Sequence, residues 1–252
     1  MADAPDPESE LAPPPWQRTP QRASRRRRDP ITREAIVDAA LRLLDRDGLD
    51  GLSMRGIAEE LDTGAASLYW HVGSKDGLLD LVFDRVIGEQ PVPDPEPELW
   101  QEQLKEVART QRTTILRHRD IVRISLGRIP MGPNALRHSE RVLAILRAGG
   151  VPDELAVVGQ HLLLAAVNGF TLDETAPVAA EDAQTDEEAR EETEDATKMV
   201  SDYISSLPAD RFPNLVALAD QFAVVDADVR FELLLDLFVG GLARRAEALK
   251  RN

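Results

Sequence analysis

The sequence predicts an all-α protein, with short helices near the N-terminus and a larger body of longer ones. Three observations carry this. Apolar residues recur at three- and four-residue spacing over most of the chain. No stretch alternates apolar and polar residues with the two-residue period of a strand. Ser, Thr, Gly and Pro stand where such helices should start and stop. The chain has 252 residues, 42% of them hydrophobic and 30% charged. That is enough to bury a substantial core and ordinary for a globular protein.

Residues 1–30 hold prolines at 5, 7, 13, 14, 15, 20 and 30 and read as a disordered arm. A first helix begins after Thr32, carries Ile36, Ala40, Leu43 and Leu44 on one face and stops at Gly48. Ser53 caps a second, with Ile57, Ala58 and Leu61 inward. A third lies around Ala65–His71. Ser74 caps a fourth, whose Leu78, Leu79, Val82, Val86 and Ile87 are apolar. Prolines at 91, 93, 95 and 97 mark Gln90–Glu98 as a linker.

Longer helices are expected at roughly 98–118, 120–127, 134–148 and 153–173, with Pro152 in a first turn. Residues 181–195 are dominated by acids and read as a loop or an exposed helix start, before a helix ending near Ser206. The last helix starts near Asp226 and ends in Arg244, Arg245, Lys250 and Arg251, cations suited to a helix C-terminus. Its Phe231, Leu235, Phe238 and Leu242 form one apolar stripe, with Val229, Leu233 and Leu237 beside it. The helix near 153–173 is similarly apolar. Such helices are buried on more than one side. Either a single-chain core or a second subunit covers them; the sharper expectation is a homodimer packed through helices near 153–173 and 226–249. The expected division is an arm at 1–30, a three-helix head at 31–78 and a larger helical domain at 79–252.

The formal net charge of -15, from 30 basic and 45 acidic residues, argues at first against a nucleic-acid partner. Its distribution is uneven. Residues 18–33, including Arg25, Arg26, Arg27 and Arg28, sum to +6, whereas residues 34–80 sum to -6. The basic block is either a solvated tail or a phosphate or minor-groove contact. The second and third helices, joined at Asp62-Thr63-Gly64, make a helix-turn-helix pattern, in which the second helix enters the major groove. Its outward face would present Ala65, Ala66, Ser67, Tyr69 and Trp70, with His71 and Lys75 just beyond. Lys, His and a Tyr hydroxyl suit phosphates. Small side chains admit base edges, and Arg55, at the start of the preceding helix, suits guanine.

The stretches Leu52-Ser53-Met54-Arg55-Gly56-Ile57-Ala58-Glu59-Glu60-Leu61, Ser67-Leu68-Tyr69-Trp70-His71-Val72 and Ser74-Lys75-Asp76-Gly77-Leu78-Leu79 resemble the tetracycline-repressor family. The likeness covers residues 32–88 clearly. It continues more weakly through Trp100-Gln101, His118-Arg119-Asp120, Leu126-Gly127, Pro130, Gly169 and the closing Phe231–Leu242 helix. The resemblance implies a cytoplasmic, homodimeric repressor on a palindromic double-stranded operator, released by a small-molecule inducer. It places Arg55, Ser67, Tyr69, His71 and Lys75 at DNA contacts. Asp62 stands where the family prefers Gly, and Gly64 replaces a better cap.

On the ligand side the chain departs from the tetracycline branch. That branch holds magnesium–tetracycline partly through a histidine where this chain has Ser125, a poor replacement. Gln111 stands in place of an aromatic residue, and Arg128 and Ile129 replace a Thr–Arg pair. Magnesium–tetracycline is therefore not the expected inducer. Gln111, Ser125, Arg128 and Asn168, polar residues on otherwise apolar helices, are the candidate ligand contacts; each also has a purely structural reading as a satisfied core group.

No other chemistry is indicated. The chain has no cysteine, which removes disulfides, thiolate metal sites and cysteine nucleophiles. His71, His118, His138 and His161 show no metal-ligand spacing. No phosphate-binding glycine loop or nucleophile elbow is present. No enzyme activity, cofactor or membrane span is expected. The alternative function is a ligand-binding or protein-interaction module with a vestigial DNA head.

Overall fold

The structure, a computed structural model, describes residues 31–175, 198–223 and 226–251. The basic arm with Arg25–Arg28 and the acidic stretch 181–195 lie outside the described residues. Those described contain helices and no strand.

The caps expected from the sequence form. In α1 (Arg33–Gly51) the Thr32 hydroxyl accepts from the Ala35 amide at 3.1 Å. Ser53 accepts from Gly56 at 3.0 Å to start α2 (Met54–Glu60), and Ser74 accepts from Gly77 at 2.9 Å to start α4 (Lys75–Ile87). Between them α3 (Ala65–Val72) begins at Gly64 with no side-chain cap. The turn before it places Asp62 at φ 47°, a left-handed position that Asp tolerates. The apolar faces of α1, α2 and α4 meet in a core containing Ile36, Leu44, Ile57, Leu68, Leu78 and Val82.

Gly48 breaks α1 where the sequence places its end, with φ 74°. A side chain there would be strained and would put its Cβ 2.8 Å from the Asp120 carboxylate. That carboxylate accepts from the Leu49 amide at 2.9 Å. The break thus makes room for the corner between α5 (Trp100–Arg117) and α6 (Ile121–Ser125). His118 in the same corner is mostly buried, with Nδ1 3.1 Å from Asp45 and Nε2 3.1 Å from Glu89. Arg123 adds a bond to Asp50 at 3.2 Å.

The proline-rich Gln90–Glu98 segment is held in place. Val92 is buried, and the Gln103 side chain donates to the Asp94 carbonyl at 2.7 Å and accepts from the Glu96 amide at 3.0 Å. The position 78/79, taken from the sequence as a domain limit, falls inside α4. That helix packs against α1 and also against α7 (Pro133–Ala148). Pro152 precedes α8 (Asp153–Thr175), where its carbonyl accepts the Ala156 amide at 2.8 Å. It therefore precedes the first turn that the sequence assigned it to.

The chain divides into two compact units, one ending at Thr171 and resuming at Val239, the other spanning Leu172–Phe238. The second unit contains the helical residues 198–205 (α9), α10 (Pro213–Ala217) and much of α11 (Ala227–Lys250). Along α11, Phe231, Leu235, Val239, Leu242 and Ala246 are buried. The neighbouring stripe of Val229, Leu233 and Leu237 is exposed. In the first unit, α8 shows the same division. Ala156, Gly159, Leu163 and Val167 face inward, and Gly159 packs against Leu242. Val158, Leu162, Ala165 and Gly169 face outward.

By length and composition α8 is apolar enough to cross a bilayer, which corrects the expectation that no segment is. Its Gln160 and Asn168 nevertheless bond to side chains of α7 and α6, as in a helix packed within protein.

Candidate nucleic-acid interface and ligand site

Leu68 and Val72 anchor α3 to the core, and helical spacing then turns the rest of the helix outward. Ala66, Ser67, Tyr69 and Trp70 are exposed, and Ala65 and His71 are half-buried. Tyr69 and Trp70 are 45% and 56% exposed, large aromatic surfaces that the described residues leave partly uncovered. The Trp70 and His71 rings meet edge-on at 5.4 Å. Arg55 projects from the start of α2 with its side chain 88% exposed, in an ion pair one helical turn away with Glu59 at 2.9 Å. Such a pair is weak and easily exchanged. Lys75 is placed differently. Its ammonium donates to the Leu52 carbonyl at 2.7 Å, so one of its three protons is committed to the head itself.

Three of the four candidate ligand residues meet. Gln111 on α5 donates through Nε2 to Asn168 Oδ1 on α8 at 2.9 Å. Asn168 Nδ2 donates to Ser125 Oγ on α6 at 3.2 Å. Ser125 passes its own proton to the Val122 carbonyl at 2.7 Å. Gln111 and Ser125 are buried. The three side chains form one hydrogen-bonded relay across three helices that local sequence alone does not connect.

Arg128 does not join them. Its guanidinium turns to α4, bonding Asp80 at 2.5 Å, and Asp76 through both its carboxylate and its carbonyl at 3.2 Å. Arg128 thus clamps the helix that follows α3. Two salt-bridged carboxylates outcompete a solitary place in an apolar site. Arg128 and Asp80 also line a small hollow with Phe83, Ile129 and Met131.

Asp84 joins the site with no local motif to mark it. Buried on α4, it accepts from the Ala135 amide at 2.9 Å and from the Asn134 amide and carboxamide at 3.3 and 3.1 Å. It caps the start of α7 from another helix, meeting the orphan amides there. Burial pushes its carboxyl above the usual range, opposed by those hydrogen bonds. The only hint in the sequence is the four-residue spacing of Asp76, Asp80 and Asp84.

The Ser125 hydroxyl already has a donor and an acceptor within the relay, and a neutral hydroxyl is a poorer metal ligand than an imidazole.

Residues 36–82 match the family described as bacterial regulatory proteins, tetR family. Residues 92–246 match the tetracyclin repressor-like C-terminal domain. The chain belongs to the tetracycline-repressor family. This is a family of regulators, not of enzymes. Its relatives include an HTH-type transcriptional regulator of Saccharopolyspora erythraea, 42% identical over 48% of this chain and 51% of the relative. The HTH-type transcriptional repressor DrrR1 of Streptomyces coeruleorubidus is 37% identical over 54% of this chain and 50% of its own length. The chain thus spans about half the length of these curated relatives. Among solved structures, apo ActR of Streptomyces coelicolor is 43% identical and superposes with a TM-score of 0.78, covering 88% of this chain and all of ActR. The ActR complex with actinorhodin also reaches 0.78, at 46% identity over 87% of this chain and 98% of ActR.

Proposed function

We propose that this tetracycline-repressor family member is a homodimeric repressor of the bacterial cytoplasm, released from a palindromic operator by an organic inducer. The observation that carries the reading is the joint placement of Arg128 and Ser125. Ser125 ends α6 inside the polar relay. Three residues on, Arg128 holds α4, which begins directly after the exposed face of α3. A ligand that displaces relay bonds at Gln111, Asn168 or Ser125 would move the end of α6 and, through Arg128, the head. Arg55, Ala65, Ala66, Ser67, Tyr69, Trp70, His71 and Lys75 form the proposed DNA-contacting set, joined by Arg25–Arg28 from the arm.

The outward stripes support the homodimer. Val158, Leu162, Ala165 and Gly169 on α8, and Val229, Leu233 and Leu237 on α11, are apolar positions at helical spacing that water would otherwise cover. The inducer is proposed to resemble the actinorhodin bound by ActR rather than magnesium–tetracycline.

The deciding experiment selects duplexes from a random pool with the full chain and then titrates the winner with actinorhodin. A palindrome released by actinorhodin is expected, with Gln111→Leu still bound to DNA in its presence. Failure to enrich a palindrome would favour the alternative of a vestigial head.

A further inference from the structure

Among the described residues, two side chains keep a buried polar atom without a hydrogen-bond partner: Nε2 of His138 on α7 and Oε1 of Gln160 on α8. Both sit on inward-facing helix surfaces. His138 is in register with Ala135, Val142 and Ile145, and Gln160 with Ala156, Leu163 and Val167. Gln160 Nε2 donates to Ser139 Oγ at 2.5 Å. This brings the carboxamide against the 138–139 step of α7. Turning the amide over would leave its other polar atom bare instead. Burial alone holds the His138 ring below its ordinary range, so the ring is neutral and offers one donor and one acceptor.

A folded chain seldom leaves such atoms unmatched on two adjoining helices, because each forfeits its hydrogen bond to water. A bound molecule can supply both partners. Gln160 and Asn168 lie on the same flank of α8, eight residues and so about 12 Å apart along the helix. Apolar Leu163, Leu164 and Val167 lie between them.

We propose that His138 and Gln160 are a second polar anchor of the inducer site, opposite the Gln111–Asn168–Ser125 relay. The proposal rests on the ligand-response reading above and narrows it. The inducer is an elongated, mainly apolar molecule with hydrogen-bonding groups, such as hydroxyls or carbonyls, at both ends. One end bonds the relay. The other donates to Gln160 Oε1 and meets His138 Nε2.

The test uses the full chain as wild type, His138→Leu, Gln160→Leu and the double variant. Thermal unfolding is measured without ligand and with actinorhodin as the probe, alongside its Kd. Without ligand, the Tm of each variant should hold or rise by a few degrees, since an unmatched polar group has been removed. With actinorhodin, the double variant should bind at least tenfold more weakly than wild type and lose most of the ligand-induced rise in Tm. A fall in ligand-free Tm in both single variants overturns the proposal, because the groups would then be structural. Wild-type affinity in the double variant also overturns it if Gln111→Leu has lost binding; the inducer site itself would survive. If wild type ignores actinorhodin, the ligand reading fails, and the ligand-free Tm alone decides: a rise retains the unmatched pair, a fall removes it.

Discussion

The Lys75 ammonium donates to the Leu52 carbonyl at 2.7 Å, tying the first turn of α4 to the residue that closes α1. One side chain would thereby have two tasks, bracing the head and, on the proposed interface, meeting phosphate. Lys75→Ala should weaken binding to all duplexes about equally and flatten the salt dependence by about one unit of slope. It should also destabilise the head by about 1.5 kcal/mol, the low end for a charge-assisted hydrogen bond. Lys75→Gln separates the tasks, because it keeps an N–H donor beside Leu52, one bond shorter, without the charge. It should recover the stability and leave the slope flattened. An unchanged slope in both variants would leave Lys75 with bracing alone.

Among the described residues Arg55 is held by the exposed Glu59, so little there opposes its transfer to a base. Arg55→Ala should cost roughly 1–3 kcal/mol of operator binding and relax specificity at one base pair. Competition binding against single-position operator variants measures this. A uniform loss across the variants would mark Arg55 as a phosphate contact.

Arg128 bridges Asp76 and Asp80 from outside the head. Arg128→Ala should reduce stability by about 1.5 kcal/mol, at the low end because Asp76 is exposed. Actinorhodin binding should persist while its effect on operator affinity shrinks. Calorimetry of the ligand together with anisotropy of labelled DNA reads the two separately. Full release of operator by actinorhodin in this variant would rule out the Arg128 route.

Asp84 predicts a pH dependence opposite in sign to that of an ordinary ion-paired carboxylate. Burial holds its folded pKa above the ordinary 3.8, so the folded chain keeps a proton that the unfolded chain has lost. Its contribution is full below about 3.8 and declines as pH rises through the folded value. In urea melts from pH 4 to 7, the stability advantage of wild type over Asp84→Asn should narrow with rising pH. A gap that widens would mean the three hydrogen bonds outweigh the burial.

Features set by neighbours in sequence were readable in advance. Thr32, Ser53 and Ser74 cap helices through amides three residues on, and Leu68 faces inward because helical spacing leaves it no other place. The polar trio Gln111, Ser125 and Asn168 stood out against apolar surroundings, but their mutual bonds did not, since they span up to 57 residues. The partners of Arg128 were hidden for a related reason: its carboxylates lie about fifty residues earlier in the chain. His138 and Gln160 were hidden by polar neighbours, Arg137, Ser139 and His161, which make both look like surface positions.

The ion pairs around the head change what a DNA duplex would sense there. By sequence, residues 34–80 carry an excess of six negative charges. In the fold, Asp38 faces Arg85, Asp50 faces Arg123, and Asp76 and Asp80 face Arg128. These cations come from beyond residue 80. Two of them, Arg123 and Arg128, lie in the part of the chain that holds the relay. A rearrangement there that pulled Arg123 or Arg128 away would uncover carboxylates on the head. Electrostatic repulsion from the phosphate backbone would then act in the same direction as a change in spacing between the heads of the proposed dimer. Release from DNA should therefore be more complete at low ionic strength than geometry alone would give.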